Sequence, residues 1–221
     1  MFPLYDTARS HKFPLVNILL IGANALAFFT EIRMAPGSLE AFIFANGLIP
    51  AQLLANPSVE WTTIFSSMFL HGGWFHILSN MWVLFIFGDN IEARMGGFRY
   101  LVFYLLSGTA AGMLQSSVLA TSQVPMIGAS GAVAGVLGAY LILFPQSRIA
   151  SLVPIFFIFT LVELPAFVFL IFWFISQLYS GLYALQGSAG GIAWWAHIGG
   201  FLAGIFIAFF FRRRPVVYHY Y

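Results

Sequence analysis

Cysteine is absent from the 221 residues, which excludes disulfides and thiolate metal sites and leaves the redox compartment unread. Charge is scarce: 7% of the chain is Asp, Glu, Lys or Arg, where a soluble domain carries about 25%. So few charges cannot cover a globular surface of this size, and that excludes a soluble enzyme and a disordered chain. Neither sign dominates. Nine Lys and Arg stand against seven Asp and Glu, too weak a bias for a nucleic-acid partner. Internal repeats and low-complexity segments are missing too, so one domain over residues 1–221 suffices.

Apolar and aromatic residues are abundant. Hydrophobic residues make up 61% of the chain and aromatics 19%, including 26 Phe. In lipid an apolar run must be a helix or part of a closed barrel, because nothing outside the chain satisfies its backbone. Barrel strands alternate polar and apolar residues, and these runs do not. The chain is therefore expected to be an all-α membrane protein, a bundle of six transmembrane helices. At about 20 residues per span, the spans fall near Phe13–Ile32, Trp74–Ile91, Phe98–Leu119, Ala129–Phe144, Leu164–Leu182 and Ile192–Phe211. The fifth region is interrupted by Glu163 and Pro165. Its first part, Ile149–Val162, reads as an interfacial approach. Dividing the region into two spans is the alternative, and it would put Arg212, Arg213 and Arg214 opposite the other basic residues.

Basic residues stay cytoplasmic. With both termini inside, the inner face holds Arg9, Lys12, Arg94, Arg99, Arg148, Arg212, Arg213 and Arg214, and the outer face holds only Arg33. The longest loop, Arg33–Gly73, then lies outside, partly in the interface. Arg9 and Lys12 before an apolar run, with Ala25-Leu26-Ala27 inside it, have the outline of a signal peptide. The run continues through Phe28 and Phe29, long enough for a retained anchor. A short N-terminal tail fits a bacterial-type inner membrane, with an organelle membrane as the alternative.

Polar residues inside spans are costly, so each is a candidate for function. Spans two, four and six all run from outside to inside, and their outer ends can be compared for depth. His76 and Asn80 are four apart on span two and share a helical face, with His71 just above. Ser130 lies near the outer end of span four, after Gly128. His197 lies five residues beyond Ile192 on span six. Singly, each has an ordinary structural explanation. Together they place four polar groups at one depth on three helices. Gly131/Gly135 and Gly200/Gly204 are small-xxx-small pairs, which let helix backbones approach closely. That approach packs spans four and six, and a short Ser130–His197 hydrogen bond requires it.

None of the seven acids lies inside a span at the depth of Ser130. A Ser–His dyad without an orienting carboxylate is therefore expected, not a triad. His76, Asn80 and the Ser130 backbone N–H, in the first turn of its helix, are candidate donors to a developing oxyanion. His71, Ser79, Gln115, Ser116 and Ser117 are candidates to line a polar cavity. No metal or cofactor is called for.

These residues resemble the rhomboid family of intramembrane serine proteases. The resemblance rests on Phe69-Leu70-His71-Gly-Gly-Trp-Phe-His76-Ile-Leu-Ser-Asn80, Glu92-Ala-Arg94-Met-Gly96, Gly128-Ala-Ser130-Gly131 and Ala196-His197-Ile-Gly199-Gly200, in this order. It implies cleavage of single-pass or multi-pass membrane proteins near the outer face of the bilayer. Ser130 would be the nucleophile and His197 the base, with His76, Asn80 and the serine N–H at the oxyanion. His71, Gly128, Gly131 and Gly199 would be supporting positions. Substrates would enter laterally near the fifth span, beneath a mobile loop, here Gln186–Gly191. Two positions depart from the family's pattern. Trp61 is followed by Thr62 where many members have arginine, and Ala134 stands where an aromatic often stacks on the base. Glu92 and Arg94 read as structural. Two other classes compete: a rhomboid-like protein that binds membrane clients without cutting them, and a small transporter. A transporter would show internal repeats and a midplane site.

Overall fold

The structure, a computed structural model, describes residues 2–8, 10, 12–155, 158–186 and 191–212. The apolar runs become helices where the sequence puts them. Helix α1 is Leu15–Glu31. In the loop that follows, proline opens each of three short helices: α2 (Pro36–Asn46), α3 (Pro50–Ala55) and α4 (Pro57–Glu60). Proline suits that position because its missing N–H has no helical acceptor there anyway. Helix α5 (Thr63–Ser66) and a 3₁₀ turn at Ser67–Phe69 complete the loop. Helix α6 (Trp74–Val83) continues through a π-helical turn, Leu84–Gly88, into α7 (Asp89–Met95). Three more apolar helices follow: α8 (Gly97–Val118), α9 (Ser130–Leu143) and α10 (Ala166–Ala184). The last is α11 (Trp194–Ala208), extended by a 3₁₀ turn to Phe211.

Among the described residues three helices are long and apolar enough to cross a membrane: α8, α10, and α11 with its terminal turn. The segments Thr63–Phe69 and Trp74–Met95, bent by 95° at Leu70–Gly73, qualify together as a fourth. Helices α1 and α9 are apolar but shorter, with 17 and 14 residues.

One region departs from the sequence reading. Ile149–Val162, expected as an interfacial approach in an all-α protein, lies in an antiparallel hairpin of β2 (Arg148–Ile155) and β3 (Ile158–Pro165). Strand β1 (Phe2–Asp6) adds to the free edge of β2, giving the order β1-β2-β3. The protein is mostly helical, with a small sheet. Ile, Val, Thr and Phe crowd this segment, and such side chains favour a pleated backbone. Pairing with β1 also satisfies the hydrogen bonds of the middle strand.

Helix α9 is the axis of the bundle, and every residue from Gly131 to Tyr140 is buried. The expected glycine contacts are present. A Cβ on Gly200 would overlap the Gly131 carbonyl, one on Gly204 the Gly135 carbonyl, and one on Gly138 the Phe201 carbonyl. On its other side α9 sets Gly131 against Ala111 and Gly135 against Ser107 of α8. No side chain therefore separates α9 from α11 along this seam.

The end of the bundle away from Ser130 is tied by polar bonds. Glu92 accepts the Val16 and Asn17 backbone N–H groups at 3.1 and 2.7 Å, capping α1 from α7. Asn17 donates to the Leu84 carbonyl in the π turn at 2.9 Å, and the Tyr100 hydroxyl donates to Asn17 at 2.8 Å. Arg94 donates to the Phe211 carbonyl at 3.1 Å. Glu92 and Arg94 thus join chain ends to the bundle, the structural part read for them. Lys12, Arg94, Arg99, Arg148 and Arg212 gather at this end; Arg9, Arg213 and Arg214 lie outside the described residues.

Candidate active site

Helix α9 begins at Ser130, so the serine N–H has no acceptor within its own helix. Two residues earlier Gly128 has φ +121°, a conformation that a side chain rarely adopts. A Cβ at Gly128 would also stand 2.6 Å from Cε1 and Nε2 of His76. The missing side chain is what lets that imidazole lie beside the start of α9.

Helix α11 brings His197 to Ser130 across the glycine seam. Ser130 Oγ lies 2.9 Å from His197 Nε2. A hydroxyl within hydrogen-bond reach of a neutral imidazole can pass it a proton, which is how serine becomes nucleophilic. Gly199, two residues on, faces α8, where a Cβ would meet the Ala110 carbonyl oxygen and Leu114 Cβ at 2.9 Å. Gln115 of α8 accepts the Ala196 backbone N–H at 3.1 Å and so caps the first turn of α11.

Helix α6 brings up the third face. Gly72 N–H points at His76 Nδ1 at 3.4 Å, a long bond that favours the proton on Nε2, the nitrogen facing Gly128 and Ser130. One turn further on the same face, Asn80 is 6% exposed, and its Nδ2 has no hydrogen-bond partner among the described residues. A buried donor without an acceptor is costly in a fold and useful where charge develops during a reaction. His71 packs edge-on against His76, with ring centroids 5.1 Å apart. Its backbone N–H donates to both oxygens of Glu31 at 3.1 and 3.2 Å, tying α1 to this corner.

Ser130, His197, His76 and Gly128 are therefore in close array, with His71 packed on His76. The cavity-lining expectations divide. Gln115 lines a cavity of about 600 Å³ with Met126, Ala193, Trp194 and Trp195. Ser79 and Ser117 instead bond carbonyls of their own helices, at His76 and Met113. Around Ser130 the free volume is only about 10 Å³, and this small pocket shares Met126 and Ala193 with the larger cavity. Of the expected mobile loop, residues 187–190 lie outside the described residues. Among the described residues no group of three or more His, Asp or Glu could hold a metal ion.

The sequence reading missed Gln177. Its Oε1 lies 2.8 Å from His197 Nδ1, on the ring edge opposite Ser130. Trp173, one turn earlier on α10, lies over the same ring at a centroid distance of 6.2 Å, and Trp194 meets it edge-on at 5.9 Å. The aromatic contact that Ala134 cannot make comes from α10 and α11. The signal was present. Gln177 is a polar residue inside an apolar span, five positions before Leu182, as His197 is five after Ile192. Span five runs the other way, so comparing the starts of spans two, four and six passed over it.

Comparison with known proteins gives the family. The family model of the Rhomboid domain matches residues 58–214, more than half of the chain. The chain belongs to the rhomboid family. This rhomboid is 31% identical to "RHOMBOID-like protein 6, mitochondrial" of Arabidopsis thaliana over 161 residues, 71% of the chain and 45% of that protein. It is 32% identical to "Rhomboid protease GluP" of Bacillus subtilis over 138 residues, 58% of the chain and 24% of that protein. A third relative, "Inactive RHOMBOID-like protein 8" of Arabidopsis thaliana, is 31% identical over 147 residues, 64% of the chain and 41% of that protein. The chain spans less than half the length of these relatives. Its family and apolar helices make it an integral membrane protein.

Proposed function

We propose that this rhomboid is an intramembrane serine endopeptidase that cleaves transmembrane segments of other membrane proteins near the outer membrane face. The observation that carries the reading is the 2.9 Å contact between Ser130 Oγ and His197 Nε2, at the start of two helices packed backbone to backbone. Ser130 Oγ attacks the scissile carbonyl carbon while its proton passes to His197 Nε2. The carbonyl oxygen becomes an oxyanion, and His76 Nε2–H, Asn80 Nδ2–H and the Ser130 N–H donate to it. The C–N bond then breaks as His197 returns the proton to the leaving amine. A water, deprotonated by the same imidazole, hydrolyses the acyl-enzyme and regenerates the serine. The cavity lined by Gln115, Trp194 and Trp195 holds about 600 Å³, and the pocket at Ser130, at about 10 Å³, has no room for a peptide. In this account a substrate strand widens the junction at Met126 and Ala193 to reach the serine.

The topology belongs to the same proposal: six spans with both termini cytoplasmic, in which α1 and α9 cross despite their shorter lengths. The clustering of five of the six described basic residues, all but Arg33, at the end opposite Ser130 supports it. The membrane is a bacterial-type inner membrane in this reading. Relatives named for the mitochondrion and the chloroplast make an organelle membrane the alternative.

Covalent labelling with a serine-directed fluorophosphonate tests the reading. Wild-type protein in detergent takes the label, and Ser130→Ala and His197→Ala do not, with helix content unchanged. Undiminished labelling of either variant would sink the dyad. Failure of well-folded wild type to label would favour a relative that binds clients without cutting them.

A further inference from the structure

We infer that Gln177 is a positioning residue: it fixes the tautomer of His197 from α10, in the place of a triad carboxylate. The inference rests on the proposed roles of Ser130 and His197, but its key test does not require turnover.

The argument starts from a carbonyl, which can only accept. The Ser176 hydroxyl lies 2.6 Å from the Trp173 carbonyl oxygen, so it must donate there. Its oxygen then offers only lone pairs to Gln177 Nε2, 3.0 Å away, and the amide must donate in turn. This fixes the amide with its NH₂ towards Ser176 and Oε1 towards His197. Oε1 can only accept, so His197 Nδ1, at 2.8 Å, must carry the proton. Nε2 is then left with a lone pair, and it is Nε2 that faces Ser130 Oγ at 2.9 Å. Every bond of the chain Ser130–His197–Gln177–Ser176–Trp173 thus runs in one direction. Without Gln177 the ring could place its proton on Nε2 and lose the ability to accept from the serine. Gln177 is 7% exposed, so water does not readily take over this bond. A neutral amide adds no charge beside the imidazolium, and its contribution is orientation.

The test compares Gln177→Met, which keeps length without an acceptor, and Gln177→Glu, which keeps an acceptor oxygen. Imidazole-¹⁵N-labelled protein in micelles gives the tautomer directly, with the His197 signals identified by their loss in His197→Ala. Wild type shows protonated Nδ1 and unprotonated Nε2. Gln177→Met shows a mixture or the reverse. On a transmembrane substrate, Gln177→Met lowers kcat about tenfold or more with KM unchanged, because only a fraction of molecules hold the competent tautomer. Gln177→Glu recovers most of that loss. A wild-type tautomer and wild-type kcat in Gln177→Met would overturn the inference. If wild type cleaves nothing, the protease reading fails, and the ¹⁵N spectra alone still decide the role of Gln177.

Discussion

At the scale of single residues, the site's chemistry depends on which nitrogen carries each proton. In the proposed mechanism His76 and His197 use Nε2 for opposite purposes. His197 Nε2 faces Ser130 Oγ at 2.9 Å, and with the proton held on Nδ1 in the inferred tautomer it accepts. His76 takes the Gly72 N–H on Nδ1, which leaves Nε2–H as a donor towards Gly128. His76→Ala and Asn80→Ala are therefore expected to lower kcat by about 10²–10³ with little change in KM, the cost of losing one oxyanion donor. Steady-state kinetics on a transmembrane substrate checks this, with circular dichroism confirming folded protein. A loss of folded protein with normal turnover in what remains would make both residues packing groups. The closeness of Ser130, His197 and His76 was legible because histidine, serine and asparagine at matched depth are rare in apolar spans. Gln177 carried the same signal on a helix of opposite direction. The unidirectional bonding through Ser176 was not legible, because it depends on hydroxyl and amide orientation.

At the scale of elements, the seam between α9 and α11 sets the serine–imidazole distance. Gly200 and Gly204 lie directly on the backbone of α9, and a methyl at either overlaps a carbonyl rather than a movable side chain. Gly200→Ala must push the helices apart. The expected cost is about 1–3 kcal/mol of stability, as for overpacking in a close-packed interior, together with loss of the Ser130–His197 contact and of activity. Gly22 on α1 is the control: nothing lies within 4 Å of a Cβ there, and alanine favours a helix over glycine. Gly22→Ala should leave melting temperature and activity equal to or above wild type. Equal effects of the two changes would contradict the seam's role. The spacing of these glycines was legible because close helix approach needs small residues four apart. The hairpin of β2 and β3 was not. Its run of Ile, Val, Phe and Thr satisfies a membrane reading and a strand reading equally, and its partner, Phe2–Asp6, is more than 140 residues away in sequence.

At the scale of the whole molecule, the two ends of the bundle have different work. The end opposite Ser130 is fastened by the sheet and by Asp6, which accepts from the Tyr140 hydroxyl and, at 3.0 Å, from Asn90. Burial pushes the Asp6 carboxyl from its ordinary value of 3.8 up to about 6; nearby Asp89 adds to the rise and the Tyr140 bond opposes it. An acid raised in the fold holds its proton more tightly there than in the unfolded chain. Its contribution to stability therefore falls as pH rises from 3.8 through about 6 and is level above. Asp6→Asn keeps an acceptor for Tyr140 and cannot ionise. The variant's melting temperature in detergent should vary less with pH across that window than wild type's, and equal slopes would contradict the burial argument. The opposite end carries the candidate chemistry, and the central claim is that this end cuts peptide bonds within the membrane. Its most direct test is cleavage of a transmembrane substrate by purified protein in liposomes, with the product ends mapped by mass spectrometry. The account predicts a cut near the outer face by wild type and none by Ser130→Ala or His197→Ala. A cut that persists in Ser130→Ala, or its absence in folded wild type across a panel of transmembrane segments, would contradict it.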